Sequence, residues 1–352
     1  MTHQADSETW LLLDSRDVGG IETHVLHLAR GLRARWGRVR VVFYADYGGH
    51  PLTKQLEEAG IVWECLDGSL RGLYAALCRE PRLLHTHGYK AGLLGRLVGR
   101  WLGISVVSSF HAGEPGSGKV RLYNTLDYLT ANLGVAIAVS SDIQRRIVGG
   151  AHLIKNFVPV APQKTERTSS IVAFVGRLSY EKGPDIFCEL AQLLPDMEFE
   201  IYGDGPMRAM LEERFGARVR FHGRVNRMDD QWERIGLLCM PSRHEGLPYA
   251  ALEAMAHGIP VAAFCVGQLT KVIRHSENGW LAPCENVSAL GSCIQHWSDL
   301  GEGRKVAMSH MARRGIELEY SPDVVVPRII EIYQNSLLAG HRPKSPMPGA
   351  SK

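Results

Sequence analysis

Short apolar runs alternate with helical patterns along the whole chain of 352 residues, and this alternation constrains the fold most strongly. Six runs in the first half have the length and composition of buried strands. They are residues 10–13, 39–44, 61–65, 83–86, 105–108 and 135–139. Helical stretches such as 22–36, 52–59 and 91–102 separate them. Strand and helix repeated in this way predict an α/β fold, with a parallel sheet covered by helices on both faces.

The alternation stops at residues 159–170, a polar stretch with two prolines that we interpret as a linker. Further runs follow at residues 171–175, 199–202, 219–221, 237–240 and 261–264. The pattern predicts two doubly wound, Rossmann-like domains facing a central cleft, over 1–160 and 161–321. A last helix over 322–340 is expected to cross back to the first domain. We expect the proline-rich residues 341–352 to be a disordered tail.

The composition excludes several classes of protein. With 45% hydrophobic and 22% charged residues, the chain is neither disordered nor fibrous. A net charge of +3 is too small for a dedicated nucleic-acid binder. Seven cysteines without a C-x-x-C pair disfavour a zinc site or a disulfide framework. The first apolar run is too short for a signal peptide, so we expect a cytoplasmic protein.

One stretch of the first domain, residues 23–45, contains no acidic residue. Its polar surface is dominated by basic residues near a tryptophan: Arg30, Arg33, Arg35, Trp36, Arg38 and Arg40. A second basic group contains Arg96, Arg100 and Trp101. A charge run of this kind is usually a solvated helix face. The alternative is peripheral docking on an anionic membrane, such as the cytoplasmic face of the inner membrane, where each basic residue adds about 1 kcal/mol.

The strongest local motif covers residues 241–256, which follow a predicted strand and open a predicted helix. Backbone N–H groups in the stretch from Gly246 and Leu247 to Tyr249, apart from Pro248, which has none, would form an anion site at the helix N-terminus, suited to phosphate. Glu245 precedes this turn, and Glu253 lies eight residues further on. A carboxylate readily accepts hydrogen bonds from the paired hydroxyls of a sugar or ribose. The alternative interpretation is that Glu253 forms a surface cap or ion pair.

A second motif places Arg177 after a strand and a glycine, with Lys182 at the start of the next helix. Two cations in these positions could clamp a diphosphate, or they could be solvated residues of a turn. Gly19 and Gly20 lead into the first helix, and Gly205 follows a strand of the second domain. These glycines allow a ligand to approach the backbone closely. His111 ends a strand, and a lone histidine there is more often structural.

As a set, these motifs resemble those of the retaining glycosyltransferases of family 4, which have the GT-B architecture. The resemblance extends from the first strand to about residue 335. It is carried by Gly19-Gly20, His85-Thr86-His87-Gly88, Phe110-His111, Gly176-Arg177-Leu178, Glu181-Lys182-Gly183, Gly203-Asp204-Gly205-Pro206 and the pair Glu245 and Glu253.

The resemblance implies a role for each matching residue. Arg177 and Lys182 would bind the donor diphosphate, and Glu245 would contact the transferred sugar. Glu253 would contact the ribose, and His111 would lie near the sugar. It also makes His85-Thr86-His87 a strand end beside the substrates, where the spacing alone would suggest a metal site. Two departures, a single Gly267 where members have two glycines and Phe157 after Asn156, concern the pocket shape and the hinge.

Two alternatives to a glycosyltransferase remain. Residues Gly113 to Lys119 nearly match the phosphate-binding loop of kinases and NTPases, but Val120 has no hydroxyl to hold Mg²⁺. A non-catalytic protein of the same fold is the second alternative, although the set of Arg177, Lys182, Glu245 and Glu253 is complete.

The predicted function is therefore transfer of a sugar from a nucleoside-diphosphate sugar to a hydroxyl acceptor, with retention of configuration. The acceptor could be a lipid-linked saccharide of cell-surface polysaccharide, lipopolysaccharide or glycolipid assembly. No Asp-x-Asp metal cradle is apparent, so we expect activity without a divalent metal or other cofactor. No nucleic-acid partner is expected.

Overall fold

A computed structural model of the chain describes residues 8–79, 81–111, 118–160, 169–225 and 227–340. The chain divides into two compact units. The first contains residues 1–155 and 325–352, and the second contains residues 156–324. Residues 161–168 of the predicted linker and the predicted tail 341–352 lie outside the described residues. So do residues 113–117 and the side chains of residues 118–120 in the P-loop-like segment.

The first unit is built on a seven-stranded parallel sheet with the order β3-β2-β1-β4-β5-β6-β7. The strands are β1 (Thr9–Leu13), β2 (Val39–Phe43), β3 (Val62–Cys65), β4 (Leu83–His87), β5 (Ser105–Phe110), β6 (Val135–Ala138) and β7 (His152–Leu153). The helices are α1 (Gly20–Arg35), α2 (Leu52–Glu58), α3 (Leu70–Leu77), α4 (Tyr89–Leu102), α5 (Gly118–Leu129) and α6 (Ser141–Arg146). Because helices cover the sheet, its central strands are almost fully buried.

The second unit is built on a six-stranded parallel sheet with the order β10-β9-β8-β11-β12-β13. The strands are β8 (Val172–Val175), β9 (Phe199–Tyr202), β10 (Val219–Gly223), β11 (Leu237–Met240), β12 (Val261–Phe264) and β13 (Gly279–Ala282). The helices are α7 (Pro184–Leu193), α8 (Arg208–Phe215), α9 (Tyr249–Ala256), α10 (Leu269–Val272), α11 (Val287–Ser298) and α12 (Glu302–Glu319).

Side-chain caps fix where several helices begin. Ser69 accepts a hydrogen bond from the Gly72 amide at the start of α3, and Ser140 does the same for Ile143 at the start of α6. Asn286 caps α11 in the same way. Each cap satisfies an amide that has no partner within its helix, so the sequence itself marks these helix starts.

The last helix, α13, spans Pro322–Gly340, and its residues from Val325 onward group with the first unit. There Val326 packs on α1 so closely that a Cβ on Gly31 would lie 2.6 Å from its Cγ2. Tyr333 is fully buried and meets the ring of Trp36 edge-on, with centroids 5.8 Å apart. None of the helices in the described part of the chain has both the length and the apolar character needed to span a bilayer.

The α/β fold with two parallel sheets is confirmed, and all eleven predicted strands are present. Two strands were missed, β7 and β13. β7 has only two residues, too few to show a pattern. β13 begins at a glycine after a tight turn in which Ser276 has a positive φ of 66°.

The structure corrects part of the predicted membrane surface. Trp36 is turned inward, where its indole donates a hydrogen bond of 2.9 Å to Thr9. Arg40 bonds the Glu8 carboxylate at 2.8 Å. Arg96 is fully buried, because its guanidinium bonds the Asp127 carboxylate at 2.6 Å. These three residues are held by the fold and do not form a free basic surface.

Candidate functional site

The two loops that follow β8 and β9 in the second unit pack tightly against each other. A side chain on Gly203, which has a φ of +153°, would clash with the carbonyl oxygen of Gly176. A Cβ on Gly205 would lie 2.6 Å from the carbonyl oxygen of Leu178. Arg177, between these contacts, is exposed at the end of β8. The close packing at these glycines thus fixes the backbone that carries Arg177. Gly205 belongs to the loop after β9, which packs against the loop of Arg177.

The loop after β11 is joined to the loop after β8 by one arginine. Arg243 bonds both carboxylate oxygens of Asp185, at 2.9 and 2.6 Å, and the Tyr180 carbonyl at 2.7 Å. Gly183, with a φ of +70°, lies where any side chain would clash with the Pro241 carbonyl. These contacts hold the two loops in one rigid arrangement.

Lys182 and Glu245 meet where these two loops join. The Lys182 ammonium donates to both carboxylate oxygens of Glu245, each at 2.8 Å. Ser242 donates a further hydrogen bond of 2.9 Å to the same carboxylate. The Glu245 side chain is 4% exposed and that of Lys182 is 31% exposed. The cation predicted to bind phosphate and the carboxylate predicted to bind the sugar are therefore in direct contact.

A second cation acts on the same region. A hydrogen bond from Ser179 lowers the pKa of Glu181, and the charges of Arg177 and Lys182 lower it further. Arg177 and Lys182 are thus close enough to act electrostatically on one carboxylate.

Residues Gly246 to Pro248 lead into α9 and are not part of it, since the helix begins only at Tyr249. The predicted anion site is corrected accordingly: the helical amides begin at Tyr249, and the first turn leaves them without acceptors inside the helix. Gly246 is exposed, and a Cβ there would meet nothing within 4 Å. There is accordingly open space beside its backbone.

Three residues contact the backbone of this segment before α9. Asn156 donates from its amide to the Leu247 carbonyl at 3.0 Å, while its own side-chain oxygen is buried without a hydrogen-bond partner. A side chain on Gly267 would clash with the Glu245 carbonyl, and Gln268 donates to the Gly246 carbonyl at 2.9 Å. The single glycine at 267 is therefore sufficient for the close approach that the loop needs.

Glu253 lies in α9, about one turn after the helix begins at Tyr249, and is partly buried. Burial, helped by the nearby charge of Asp229, raises the pKa of its carboxyl to about 8. The group is therefore largely protonated at pH 7. A protonated carboxyl can donate one hydrogen bond and accept another, so it can pair with the two hydroxyls of a ribose diol.

In the first unit, Gly19 and Gly20 precede and open α1. The Gly19 amide donates a 2.8 Å hydrogen bond to the carboxylate of Glu22, which is almost fully buried. A carboxylate of the chain itself thus lies at the helix N-terminus where Gly19 and Gly20 were predicted to let a ligand approach. Sequence analysis missed Glu22, although a Glu three residues after an N-cap glycine signals this contact.

His111 belongs to a cluster of histidines at the ends of β4 and β5. Its Nε2 lies 3.1 Å from Nδ1 of His87, and its ring meets that of His24 edge-on at 4.7 Å between centroids. His85 lies beside His87, with 4.2 Å between centroids, and hydrogen-bonds the Tyr333 hydroxyl at 2.6 Å. His111 is therefore one member of a packed polar cluster.

Burial keeps this cluster uncharged at neutral pH. It lowers the pKa of His111 to about 4 and that of His85 to about 3. The pKa values of His24 and His87 are also lowered, first by burial and then by neighbouring histidines. A neutral His111 can orient a hydroxyl through a hydrogen bond, but it is not a cationic acid.

The cluster also has the donor set of a transition-metal site. One ligand atom each from His24, His87 and His111 lies within 4.8 Å of the others. Neutral imidazole is a common ligand of Zn²⁺ and similar ions. The expectation that no metal is needed for activity is not tested by this geometry and stays a prediction.

Taken together, the second unit combines two cations, a buried carboxylate and a helix N-terminus at the carboxyl ends of parallel strands. Such an arrangement, on a sheet of this kind, is typical of nucleotide-binding α/β proteins. Residues 18–161 match the model of glycosyltransferase family 4, and residues 169–299 match that of the group 1 glycosyl transferases. The two matches together span most of the chain, which belongs to this family of glycosyltransferases.

Individual relatives differ in how much of each chain is aligned. An uncharacterized glycosyltransferase of Haemophilus influenzae is 33% identical over 48% of this chain. The chain spans only about half, 54%, of the length of that relative. A UDP-Gal:alpha-D-GlcNAc-diphosphoundecaprenol alpha-1,3-galactosyltransferase of Escherichia coli is 24% identical over 66% of this chain and 70% of its own.

Among solved structures, Alr3699/HepE of Anabaena in complex with UDP superposes with a TM-score of 0.80 at 20% identity. The match covers 93% of this chain and 100% of that one. At this identity the likeness establishes the GT-B fold.

Proposed function

We propose that this protein transfers a sugar from a nucleoside-diphosphate sugar to a hydroxyl acceptor, with retention of anomeric configuration. The observation that carries the proposal is the Lys182–Glu245 pair, in which one ammonium contacts both oxygens of a nearly buried carboxylate. Glu245 precedes α9 by four residues in the chain, which supports the inference that cation, carboxylate and helix N-terminus act on one ligand.

The reaction breaks the bond between the anomeric carbon and the diphosphate oxygen. Negative charge then develops on the leaving diphosphate. Lys182, Arg177 and the first-turn amides of α9 would stabilise it, because they are oriented before the bond breaks. These fixed positive groups supply what a divalent ion would otherwise provide, so we propose that no metal is needed for this step.

Glu245 would bind hydroxyls of the transferred sugar. Without ligand, it neutralises Lys182; a bound diphosphate would share that ammonium and leave the carboxylate free to accept from the sugar. Glu253, protonated near pH 7, would both donate to and accept from the ribose diol. The loops after β8 and β11, together with α9, would thus bind the diphosphate, the sugar and the ribose of the donor.

Retention requires the acceptor oxygen to attack on the face from which the diphosphate leaves. We propose that the acceptor proton passes to the departing phosphate oxygen as the new bond forms and the old one breaks. Neutral His111 would orient a sugar hydroxyl and would not act as the nucleophile. Determination of the product anomer by NMR tests this, and an inverted product would refute it.

The acceptor is proposed to be a lipid-linked saccharide, handled in the cytoplasm for cell-surface polysaccharide, lipopolysaccharide or glycolipid assembly. Support comes from the Escherichia coli relative, whose name states a diphosphoundecaprenol acceptor. The proposal for the donor does not depend on this acceptor.

The first experiment is a thermal-shift screen of the full chain against UDP, GDP, ADP and their sugars, followed by a transfer assay with the donor that stabilises it. Lys182→Met should lose the shift and the transfer. Lys54→Met, at an exposed lysine of α2, should keep both.

The outcomes separate the competing functions. A specific shift by a nucleotide sugar without transfer to any saccharide acceptor would favour the non-catalytic binding protein. Stabilisation by ATP and Mg²⁺ alone would favour the kinase or NTPase alternative. Either result would refute the proposed transferase.

A further inference from the structure

One face of the first unit is unusually apolar on its outer side. Helices α3, α4 and α5 connect consecutive strands from β3 to β6, and α4 contacts both α3 and α5. Each helix already buries one side, with Leu73 on α3, Ala91 on α4 and Asn124 on α5 among the buried residues. We call their combined outer surface the α3–α5 face.

The α3–α5 face carries seven of the seventeen large hydrophobic side chains that are exposed in the described part of the chain. They are Leu70, Tyr74, Leu97, Trp101, Leu122, Leu126 and Leu129. Trp101 is 76% exposed, and Leu129 is 66% exposed. Scattered single apolar residues need no explanation, but a concentration on three adjacent helices indicates a binding surface.

The spacing shows that these residues form stripes. Leu97 and Trp101 are four residues apart on α4, and so are Leu122 and Leu126 on α5. Residues four apart lie on one side of a helix, so each stripe is continuous. The rings of Tyr74 and Trp101 are 5.0 Å apart and join the stripe of α3 to that of α4.

The charge on the α3–α5 face has one sign. Arg71, Arg100 and Arg121 are exposed, one on each helix. The only acidic residue in the three helices is Asp127, which is buried and bonded to Arg96. No carboxylate of these helices therefore offsets the arginines.

We propose that the α3–α5 face docks on the surface of an anionic lipid bilayer. Leucines between arginines, with an exposed Trp and Tyr, are the composition of helices that lie in the membrane interface. The leucines enter the acyl boundary, the aromatic rings stay at the headgroups, and the arginines bind lipid phosphates. A symmetric contact with a second copy would instead bring two sets of arginines together.

The inference deepens the proposed function, since a lipid-linked acceptor would be reached from such a surface. It replaces the surface predicted around Trp36 and Arg40, because these two side chains are already hydrogen-bonded within the first unit. Vesicle binding needs neither donor nor acceptor, so this inference can fail while the proposed transfer stands, and the reverse also holds.

The test is co-sedimentation of the full chain with phosphatidylcholine vesicles, with and without phosphatidylglycerol, at low salt. Binding is expected only with phosphatidylglycerol and should fall as salt rises, because salt screens exposed charges. Each replacement of Arg71, Arg100 or Arg121 by Gln should weaken binding about fivefold, since a basic residue near the surface adds about 1 kcal/mol. Trp101→Ser should also weaken binding.

Leu193→Ser is the matched control, because Leu193 is 61% exposed on α7 of the second unit and should leave binding unchanged. Thermal unfolding of each variant shows whether it still folds. The proposal is overturned if the wild type does not co-sediment with phosphatidylglycerol vesicles. It is also overturned if the variants of the α3–α5 face bind these vesicles as strongly as the wild type. Self-association in sedimentation velocity that Trp101→Ser abolishes would also overturn it and would assign the face to a second copy.

Discussion

Glu253 links the candidate ribose contact to the stability of the second unit. Its pKa is raised from 4.5 to about 8, mainly because the carboxylate is removed from water. The folded chain therefore holds this proton more tightly than the unfolded chain. At any pH between 4.5 and about 8, the unfolded state binds fewer protons than the folded state. The free energy of unfolding therefore falls as pH rises through this range. Glu253→Gln removes the ionisation while nearly keeping the shape.

The magnitude follows from the two pKa values. The pH rises by three units between pH 5 and pH 8, and each unit costs at most about 1.4 kcal/mol of the free energy of unfolding. The upper limit of the loss is therefore about 4 kcal/mol. Because Glu253 is only partly buried, water lowers the cost of its charge, and we expect about 2 kcal/mol. For a unit of this size that is a change of about 6 °C in Tm.

Calorimetric unfolding of the wild type and Glu253→Gln at pH 5 and pH 8 measures this effect. The variant should gain about 6 °C relative to the wild type between the two pH values. Glu302→Gln, at an exposed position of α12, should follow the wild type. If Glu253→Gln shows the same pH dependence as the wild type, the reasoning about its buried carboxyl is wrong.

Four further predictions concern the two units separately. Lys182→Met should lower kcat about 10²–10³-fold, as the loss of one oriented charge-stabilising group typically does; an unchanged kcat in steady-state assays would contradict its role. His111→Ala should lower kcat about fivefold, the value of one neutral hydrogen bond, without weakening nucleotide affinity in calorimetric titration. Excess EDTA should leave the rate unchanged, and rescue of a lost rate by Mn²⁺ would refute metal independence. Arg96→Met should lower the free energy of unfolding of the first unit by about 3–5 kcal/mol in urea, because the Asp127 carboxyl stays buried and loses its ion-pair partner. The double variant Arg96→Met/Asp127→Leu should recover much of this loss.

The sequence alone determined the fold class and most of the candidate donor site. Alternating strand and helix patterns are local, so they predicted eleven strands of two parallel sheets. Arg177, Lys182 and Glu245 each follow a strand, and parallel strands bring their carboxyl ends to one edge. That rule predicts all three residues in one region at the edge of the sheet.

Other features depended on contacts between residues distant in the sequence, and only the tertiary structure decided them. No pattern near Arg96 shows that its guanidinium is buried on Asp127, 31 residues away. The neutral state of His111 and the raised pKa of Glu253 arise from burial, which is a property of the packed chain. The outward stripes of α3, α4 and α5 join into one face only because the sheet sets these helices side by side.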